Sequence, residues 1–262
     1  MEIQEELRVA LLQMNLAWED RTANLRHTAD LINALPAGTD VIVLPEMFST
    51  GFSANARTLA DPMDGDTLRH VRRWAADTGA LVAGTFIAAE SGRYYNRGFA
   101  VTPDGNGVYY DKRHLFFGGE KAMFTPGATR RPVFRWRGWN LSMATCYDLR
   151  FPVFMRGYHC EYDLMLMPVE WPRSRQDMME TLVRARAMEN QAYYCLVNRV
   201  GVDGLDLNYQ GGSQVVKYTG KVLERLTDYQ EEARVVTLER YPLESNREKA
   251  PIWQDADPFE LK

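Results

Sequence analysis

The feature that most constrains this chain is an alternation in its first ninety residues between apolar runs of strand length and segments with helical spacing. Leu7 to Met14 is a mostly apolar run. Thr22 to Leu35 then places Leu25, Thr28, Ala29, Ile32 and Leu35 at helical intervals, with Gly38 just beyond. Asp40-Val-Ile-Val-Leu-Pro45 reads as a second buried strand, Asp66 to Thr78 as a helix closed by Gly79, and Ala80 to Ile87 as a third strand. Strand–helix–strand units of this kind imply parallel strands with helices packed on a face, an α/β protein. Glu46 falls at the C-terminal end of the second strand, where α/β sheets usually bind ligands.

From Tyr94 the pattern changes. Tyr94–Thr102 and Val108–Lys112 flank Pro103-Asp-Gly-Asn-Gly107 and read as an antiparallel hairpin, so the sheet is expected to be mixed. The stretch from Lys112 to Gly127 is too long and too glycine-rich for an ordinary connection, and long ordered loops in compact domains tend to be functional. Val133–Trp136 and Leu141–Thr145 form another hairpin, Phe151–Tyr158 a helix, and Leu164–Pro168 a strand. The longest helix is expected over Ser174–Ala192, capped by Ser174 and Asp177. Its buried stripe is Met178, Leu182, Ala185 and Ala192, and includes Glu189 as a paired structural carboxylate. Tyr193–Val200, Gln210–Tyr218, Val222–Arg225 and Ala233–Leu238 read as strands. The whole chain, 1–262, reads as one domain whose last segment, 241–262, is a tail with little periodicity.

Cys146 lies at a strand-to-helix turn, with Pro152 in a first-turn position of the following helix. A thiol there points out of a sheet, and the N–H groups opening the next turn can stabilise negative charge. The ordinary fate of a free cysteine is that of a small core hydrophobe, and Glu46 and Lys112 taken singly are ordinary loop charges. Together they supply a base, a cation and a nucleophile at three loop mouths.

These residues sit in motifs. Leu44-Pro-Glu46-Met-Phe, Asp111-Lys112-Arg-His-Leu-Phe and Cys146-Tyr-Asp-Leu-Arg-Phe-Pro152 resemble, in order, the three signatures of the nitrilase superfamily of carbon-nitrogen hydrolases. Gly119-Glu120, Phe124-Thr-Pro-Gly127, Ala185 to Gln191, Asn198 to Gly201 and Gly211-Gly-Ser213 extend the similarity over nearly the whole chain. The resemblance implies a four-layer α-β-β-α sandwich with two mixed sheets packed face to face, assembled as a homodimer or larger homo-oligomer. It also implies Cys146 as nucleophile, Glu46 as proton carrier, Lys112 and the backbone N–H of Tyr147 as oxyanion donors, and Glu120 as a residue orienting Lys112 or the substrate.

Pro45-Glu-Met-Phe-Ser-Thr-Gly-Phe52 is similar to the omega-amidase branch, which hydrolyses the terminal amide of 2-oxoglutaramate and 2-oxosuccinamate. Such substrates carry a far carboxylate, for which Arg150, Arg173 and Arg175 are the nearest candidates in sequence. Arg150 reads instead as a structural partner of Asp148 or of a subunit interface. Phe116, Phe117 and Trp171 are expected as pocket walls. Glu170 departs from the branch pattern, where a neutral residue, commonly asparagine, is expected. Other amidases of the superfamily and N-carbamoyl amino acid hydrolases use the same three residues. A thiol-protease arrangement would draft His114 or His159, and a catalytically silent binding module is the reading from a different class.

Composition narrows the partners. A net charge of -4 argues against nucleic acid, and Arg130, Arg131, Arg135 and Arg137 read as a solvated hairpin face. Three cysteines without Cys-x-x-Cys spacing indicate neither a disulfide framework nor a zinc site, which fits a reducing cytoplasm. The four histidines lack metal-ligand spacing, and no nucleotide-binding glycine motif is present. No metal or cofactor is therefore expected. No signal peptide or membrane span is read in the sequence.

Overall fold

The structure is a computed structural model that describes residues 4–261. Its strands are β1 (Glu6–Gln13), β2 (Val41–Val43), β3 (Leu81–Glu90), β4 (Arg93–Val101), β5 (Gly107–Asp111), β6 (Val133–Trp136) and β7 (Trp139–Met143). They continue with β8 (Leu164–Pro168), β9 (Tyr193–Val197), β10 (Val200–Val202), β11 (Asn208–Gln210), β12 (Gln214–Val216), β13 (Val222–Arg225) and β14 (Glu232–Glu239). Two six-stranded sheets result, ordered β14-β1-β2-β3-β4-β5 and β13-β12-β9-β8-β7-β6, with β10 and β11 as a separate ribbon. Each large sheet has three parallel strands at its centre, β1-β2-β3 or β7-β8-β9, flanked by antiparallel neighbours. The mixed character expected from the sequence is present in both.

Alternation along the central strands sorts side chains between two interfaces. In β1, Leu7, Val9 and Leu11 join Val41, Val43, Leu81 and Ala83 against Leu141, Leu164, Leu166, Cys195 and Val197 of the second sheet. The intervening Ala10 and Leu12 face the other way, toward Leu25 and Ile32 of helix Arg21–Asn33 and Leu68, Val71 and Trp74 of helix Asp66–Thr78. On the outer face of the second sheet, Met143, Met165, Met167 and Tyr194 pack on Met179, Val183 and Ala187 of helix Gln176–Asn190. Strands buried on both faces need apolar residues at every position, which is why these segments read as continuous runs. Helix, sheet, sheet and helix therefore stack as an α-β-β-α sandwich.

Helix ends follow local chemistry where it is strong. Asp20 Oδ1 accepts from the Ala23 N–H at 2.9 Å, and Gly79 closes helix 66–78 with φ 69°, a left-handed conformation that costs glycine little. The expected caps at Ser174 and Asp177 are not formed. Arg173–Arg175 is a 3-10 turn, Arg175 takes the cap position without a side-chain hydrogen bond, and the helix starts at Gln176. Its buried stripe is Gln176, Met179, Val183, Arg186, Ala187 and Asn190, rotated from the expected one, and Met178 is 41% exposed. Glu189 is paired as expected, with Arg186 at 3.3 Å.

Three further expectations are corrected. The helix after Cys146 is only Pro152–Met155, because Arg156 turns extended and the Gly157 N–H donates to Asn190 Oδ1 at 2.7 Å. The segment from Tyr241 is not without periodicity: Arg240–Lys249 is a helix anchored by buried Leu243. The basic cluster is only half a solvated face: Arg130 and Arg135 are exposed, but Arg131 and Arg137 are engaged. Arg131 donates to Phe154 O and pairs with Glu161 at 2.6 Å, and Arg137 lies 3.0 Å from Asp40. No helix among the described residues is long and apolar enough to cross a membrane.

Leu11 is wholly buried between the sheets. Leu11→Ala is expected to lower the unfolding free energy by about 2–5 kcal/mol through lost transfer energy and a residual cavity. Denaturant melts of the two proteins should show a shifted midpoint with an unchanged slope.

Candidate active site

Three chain segments converge where the carboxyl ends of the two sheets meet. Glu46 follows β2, in a turn where Met47 takes φ 42° and its N–H donates to Thr85 Oγ1 at 2.8 Å. Lys112 follows β5, held by backbone bonds from its N–H to Asn96 O and from the Gly127 N–H to its own C=O, both 3.0 Å. Glu120 opens the short helix Glu120–Met123 inside the long loop.

The Lys112 ammonium is wholly buried and donates to Glu46 Oε1 at 2.8 Å and Glu120 Oε2 at 2.7 Å. Asn96 Nδ2 bridges the same carboxylates, 2.7 Å from Glu46 and 2.9 Å from Glu120. The Phe116 N–H fixes Glu120 at 2.7 Å, and the Glu170 N–H reaches across from the second sheet to Glu46 Oε2 at 3.0 Å. An ammonium carries three donors, so Lys112 keeps one beyond these two contacts.

Cys146 follows β7 and begins the 3-10 turn Cys146–Arg150. Its φ of 46° is rare for a residue with a Cβ, a strain that persists only where the surroundings impose it. Asp148 imposes it. Its buried carboxylate accepts from the Thr145 N–H at 3.0 Å, the Tyr110 hydroxyl at 2.6 Å and the His114 N–H at 3.0 Å. The Cys146 sulfur lies 4.0 Å from the Glu170 carbonyl oxygen.

Electrostatics favour a protonated thiol at rest. Burial pushes the Cys146 pKa well above the ordinary thiol range, and Glu46 pushes it further, against the pull of Lys112. Burial likewise raises Glu46, with Lys112 opposing and Glu120 adding to the rise. Burial disfavours the Lys112 charge, but Glu120 and Glu46 outweigh it and raise its pKa. The cluster thus holds a fixed cation, two carboxyl groups and a neutral thiol close enough to Glu46 for each to raise or lower the other's proton affinity. Such a set can move a proton off sulfur while keeping a positive donor beside the reacting atom.

Cys146 opens into a cavity lined by Phe52, Phe116, Tyr147, Arg150, Glu170, Trp171, Arg175, Asp203, Leu205 and Tyr209. Of the residues anticipated as its walls and cations, Phe116, Trp171 and Arg175 line it. Arg173 does not, and Phe117 is 71% exposed against the rings of Phe116 and Tyr147. Arg150 is in the cavity and not paired with Asp148: its guanidinium lies 4.9 Å from the Trp171 ring centre and 5.6 Å from that of Tyr147. His114 is taken by Asp148 at 2.8 Å and stacks on Phe151, while His159 is exposed beside Trp253. Neither lines the cavity.

Two residues at the site were not anticipated. Asn96 sits mid-strand in β4, where asparagine is disfavoured, and that misfit was its only signal in sequence. Asn198 interrupts the expected strand from Tyr193. Its amide accepts from the Trp171 N–H and donates to the Trp171 carbonyl, both at 3.0 Å, which fixes the cavity wall. Among the described residues no cluster of His, Cys, Asp and Glu is arranged to hold a metal, and Cys146, Cys160 and Cys195 are unpaired.

Residues 8–246 match the carbon-nitrogen hydrolase family, and the chain belongs to it. It is 39% identical to the omega-amidase YafV of Escherichia coli over 97% of this chain and 98% of that protein. It is 27% identical to the 2-oxoglutaramate amidase of Bacillus subtilis over 82% and 84% of the two chains. A Xanthomonas campestris crystal structure, a CN-hydrolase superfamily protein with an arsenic adduct in the active site, superposes with a TM-score of 0.96. It is 37% identical and covers 99% of this chain and 100% of that one.

Lys112→Met strands two buried carboxylates and should destabilise the fold by about 3–5 kcal/mol, measurable by chemical denaturation. Alkylation of Cys146 by iodoacetamide, followed by peptide mass, should be slower than that of a free thiol at pH 7.5 and still rising at pH 9. A plateau below pH 8 would contradict the raised thiol pKa.

Proposed function

We propose that this protein hydrolyses the terminal amide of a small omega-amido 2-oxo acid, such as 2-oxoglutaramate or 2-oxosuccinamate, to the dicarboxylate and ammonia. The observation that carries the chemistry is the convergence of Glu46, Lys112 and Cys146 in one buried cluster opening into a cavity. The similarity to proteins named omega-amidase and 2-oxoglutaramate amidase supports the substrate class.

In this reading Cys146 Sγ attacks the amide carbonyl carbon while Glu46 takes the thiol proton. The carbonyl oxygen becomes a tetrahedral oxyanion that accepts hydrogen bonds from Lys112 Nζ and the Tyr147 N–H. Glu46 returns its proton to the nitrogen, the C–N bond breaks, and ammonia leaves a thioester on sulfur. Glu46 then deprotonates a water that attacks the thioester carbon, and the acid departs as sulfur recovers its proton. Glu120, held by Lys112, Asn96 and the Phe116 N–H, positions the ammonium.

The far carboxylate of the substrate is assigned to Arg175 and Arg150. Both line the cavity, and aromatic contacts orient them: Arg175 lies over Phe116 at 4.8 Å, and Arg150 over Trp171. Phe116 and Trp171 form the apolar walls. The same reading places the enzyme in the cytoplasm, where a free Cys146 stays reduced. It also makes the enzyme a homodimer, which would bury exposed apolar residues of the helical layer such as Val153 and Met188.

The test is ammonia release from 2-oxoglutaramate beside glutamine, asparagine, an N-carbamoyl amino acid and a nitrile. The native chain should turn over 2-oxoglutaramate, and Cys146→Ala should lose at least about 10⁴-fold in kcat. Arg150→Gln and Arg175→Gln should each raise KM roughly 10- to 100-fold for the anionic substrate. Cleavage confined to another compound on the panel would retain the thioester chemistry and reject the substrate assignment.

A further inference from the structure

Glu170 follows β8 and lines the same cavity as Cys146, and its side chain has no part in the cycle above. The residue is 5% exposed, and neither carboxyl oxygen has a hydrogen-bond partner. Only its backbone is committed: the N–H donates to Glu46, and the C=O lies near sulfur.

The surrounding charges explain why this carboxyl is not an ordinary ion-pair member. Its nearest cation is Arg199, whose Nη1 lies 3.7 Å away, a Coulombic contact too long for a hydrogen bond. Arg199 is wholly buried and spends its other donors elsewhere, Nε on Val200 O at 3.1 Å and Nη2 on Leu16 O at 3.0 Å, with its guanidinium over the Tyr209 ring. Nη1 is likewise without an acceptor. Glu46 and Asp203 are close enough to repel a charge on Glu170, and the Phe52 N–H is close enough to favour one. Asp203 is itself saturated by the N–H groups of Leu205 and Leu207 and by the Tyr209 hydroxyl. Cys146, Tyr147, Arg150 and Arg175 complete the charged and titratable groups of the cavity, and Lys112 is engaged by Glu46 and Glu120.

A buried carboxylate is tolerated when donors satisfy its oxygens, and here Arg199 and the Phe52 N–H approach without either oxygen gaining a well-formed hydrogen bond. A carboxylic acid suits the site better, since it carries its own donor and needs only an acceptor. Burial, opposed by Arg199 and assisted by Glu46, pushes the Glu170 pKa up to about 8.

We propose that Glu170 is a specificity-determining residue whose carboxyl O–H donates a hydrogen bond to an oxygen on the acyl chain of the substrate. The polarity follows from the donor. A chain presenting an oxo or carboxylate oxygen is accepted, and one presenting an ammonium is not preferred. This deepens the omega-amidase reading and rests on it for the negative charge of the substrate. The sign with pH is fixed: below about 8 Glu170 is neutral and leaves Arg150 and Arg175 unopposed, and above it a carboxylate beside Glu46 repels an anion.

The experiment compares two electrophiles of nearly equal size at Cys146, anionic iodoacetate and uncharged iodoacetamide, from pH 6 to 9.5. Ionisation of the thiol is common to both, so the ratio of their rates reports the charge of the cavity. In the native protein the iodoacetate-to-iodoacetamide ratio should fall on the order of tenfold as pH rises through about 8. In Glu170→Gln it should stay flat, and KM for 2-oxoglutaramate should lose its alkaline rise. A flat native ratio, or the same fall in Glu170→Gln, overturns the proposal. So does a ratio that is low at every pH and restored by the variant, because Glu170 would then be ionised throughout and suited to a cationic group. The native measurement needs neither a folded variant nor turnover. A switching ratio without 2-oxoglutaramate hydrolysis would reject the omega-amidase reading alone.

Discussion

The buried ammonium of Lys112 is the constraint on which the rest of the site depends. A charge taken fully out of water is costly, and it persists here because Glu46 and Glu120 lie at 2.7–2.8 Å with Asn96 bridging their other contacts. Those partners come from the turn after β2, the loop after β5 and the middle of β4. Satisfying one ammonium therefore fixes the relative positions of three segments. The 112–127 loop, which composition alone would leave free, is pinned because Glu120 must reach Lys112 and its carboxylate also needs the Phe116 N–H. Loss of any one of these groups would leave a buried charge or donor without its partner.

The second sheet brings the thiol to this cluster through contacts that cross the seam between the sheets. Asp148, beside Cys146 in the turn after β7, accepts from Tyr110 of β5 and from His114 in the loop that follows. Glu46, on the first sheet, accepts from the Glu170 N–H at the end of β8. Each bond has one partner in each half of the sandwich, and those from Tyr110 and Glu170 are buried, where an unmade hydrogen bond is expensive. Apolar contact between the sheets is non-directional and leaves sliding and rotation weakly restrained. The polar bonds at the carboxyl ends supply the register, and they hold Cys146 in a backbone conformation that it would not adopt alone.

What could be read from the sequence follows from the range of the interactions involved. Strand runs, the Gly79 stop and the hairpin around Pro103–Gly107 are local, and the structure has them within a few residues. Glu46, Lys112 and Cys146 stood out because each occupies a motif, and the structure brings all three together. Asn96 did not, and Asn198 lay in a matching stretch without a role, since a polar residue inside an apolar run looks like noise until its distant partners are known. Arg150 was read as a structural partner of Asp148 or of a subunit interface in preference to a substrate contact. Asp148 is filled by groups 34 and 38 residues away, which leaves Arg150 free to lie over Trp171 in the cavity. Helix 176–190 shows the other limit. Its sequence offers Ser174 and Asp177 as caps, but tertiary contacts wind 173–175 into a 3-10 turn and shift both the start and the buried face.

Charge accounting over the proposed cycle explains why this arrangement suits amide hydrolysis. The cycle starts with Lys112 charged, the thiol neutral and Glu46 as a carboxylate able to accept a proton. Transfer of the thiol proton to Glu46 during attack neutralises that carboxylate and places the charge on the oxyanion, beside the ammonium donor that Glu46 no longer holds as strongly. Negative charge is moved by a few ångströms within a buried site, and none has to be created. A resting thiolate would instead add a further negative charge next to Glu46, which is the physical reason that the raised thiol pKa of Cys146 suits such a cycle.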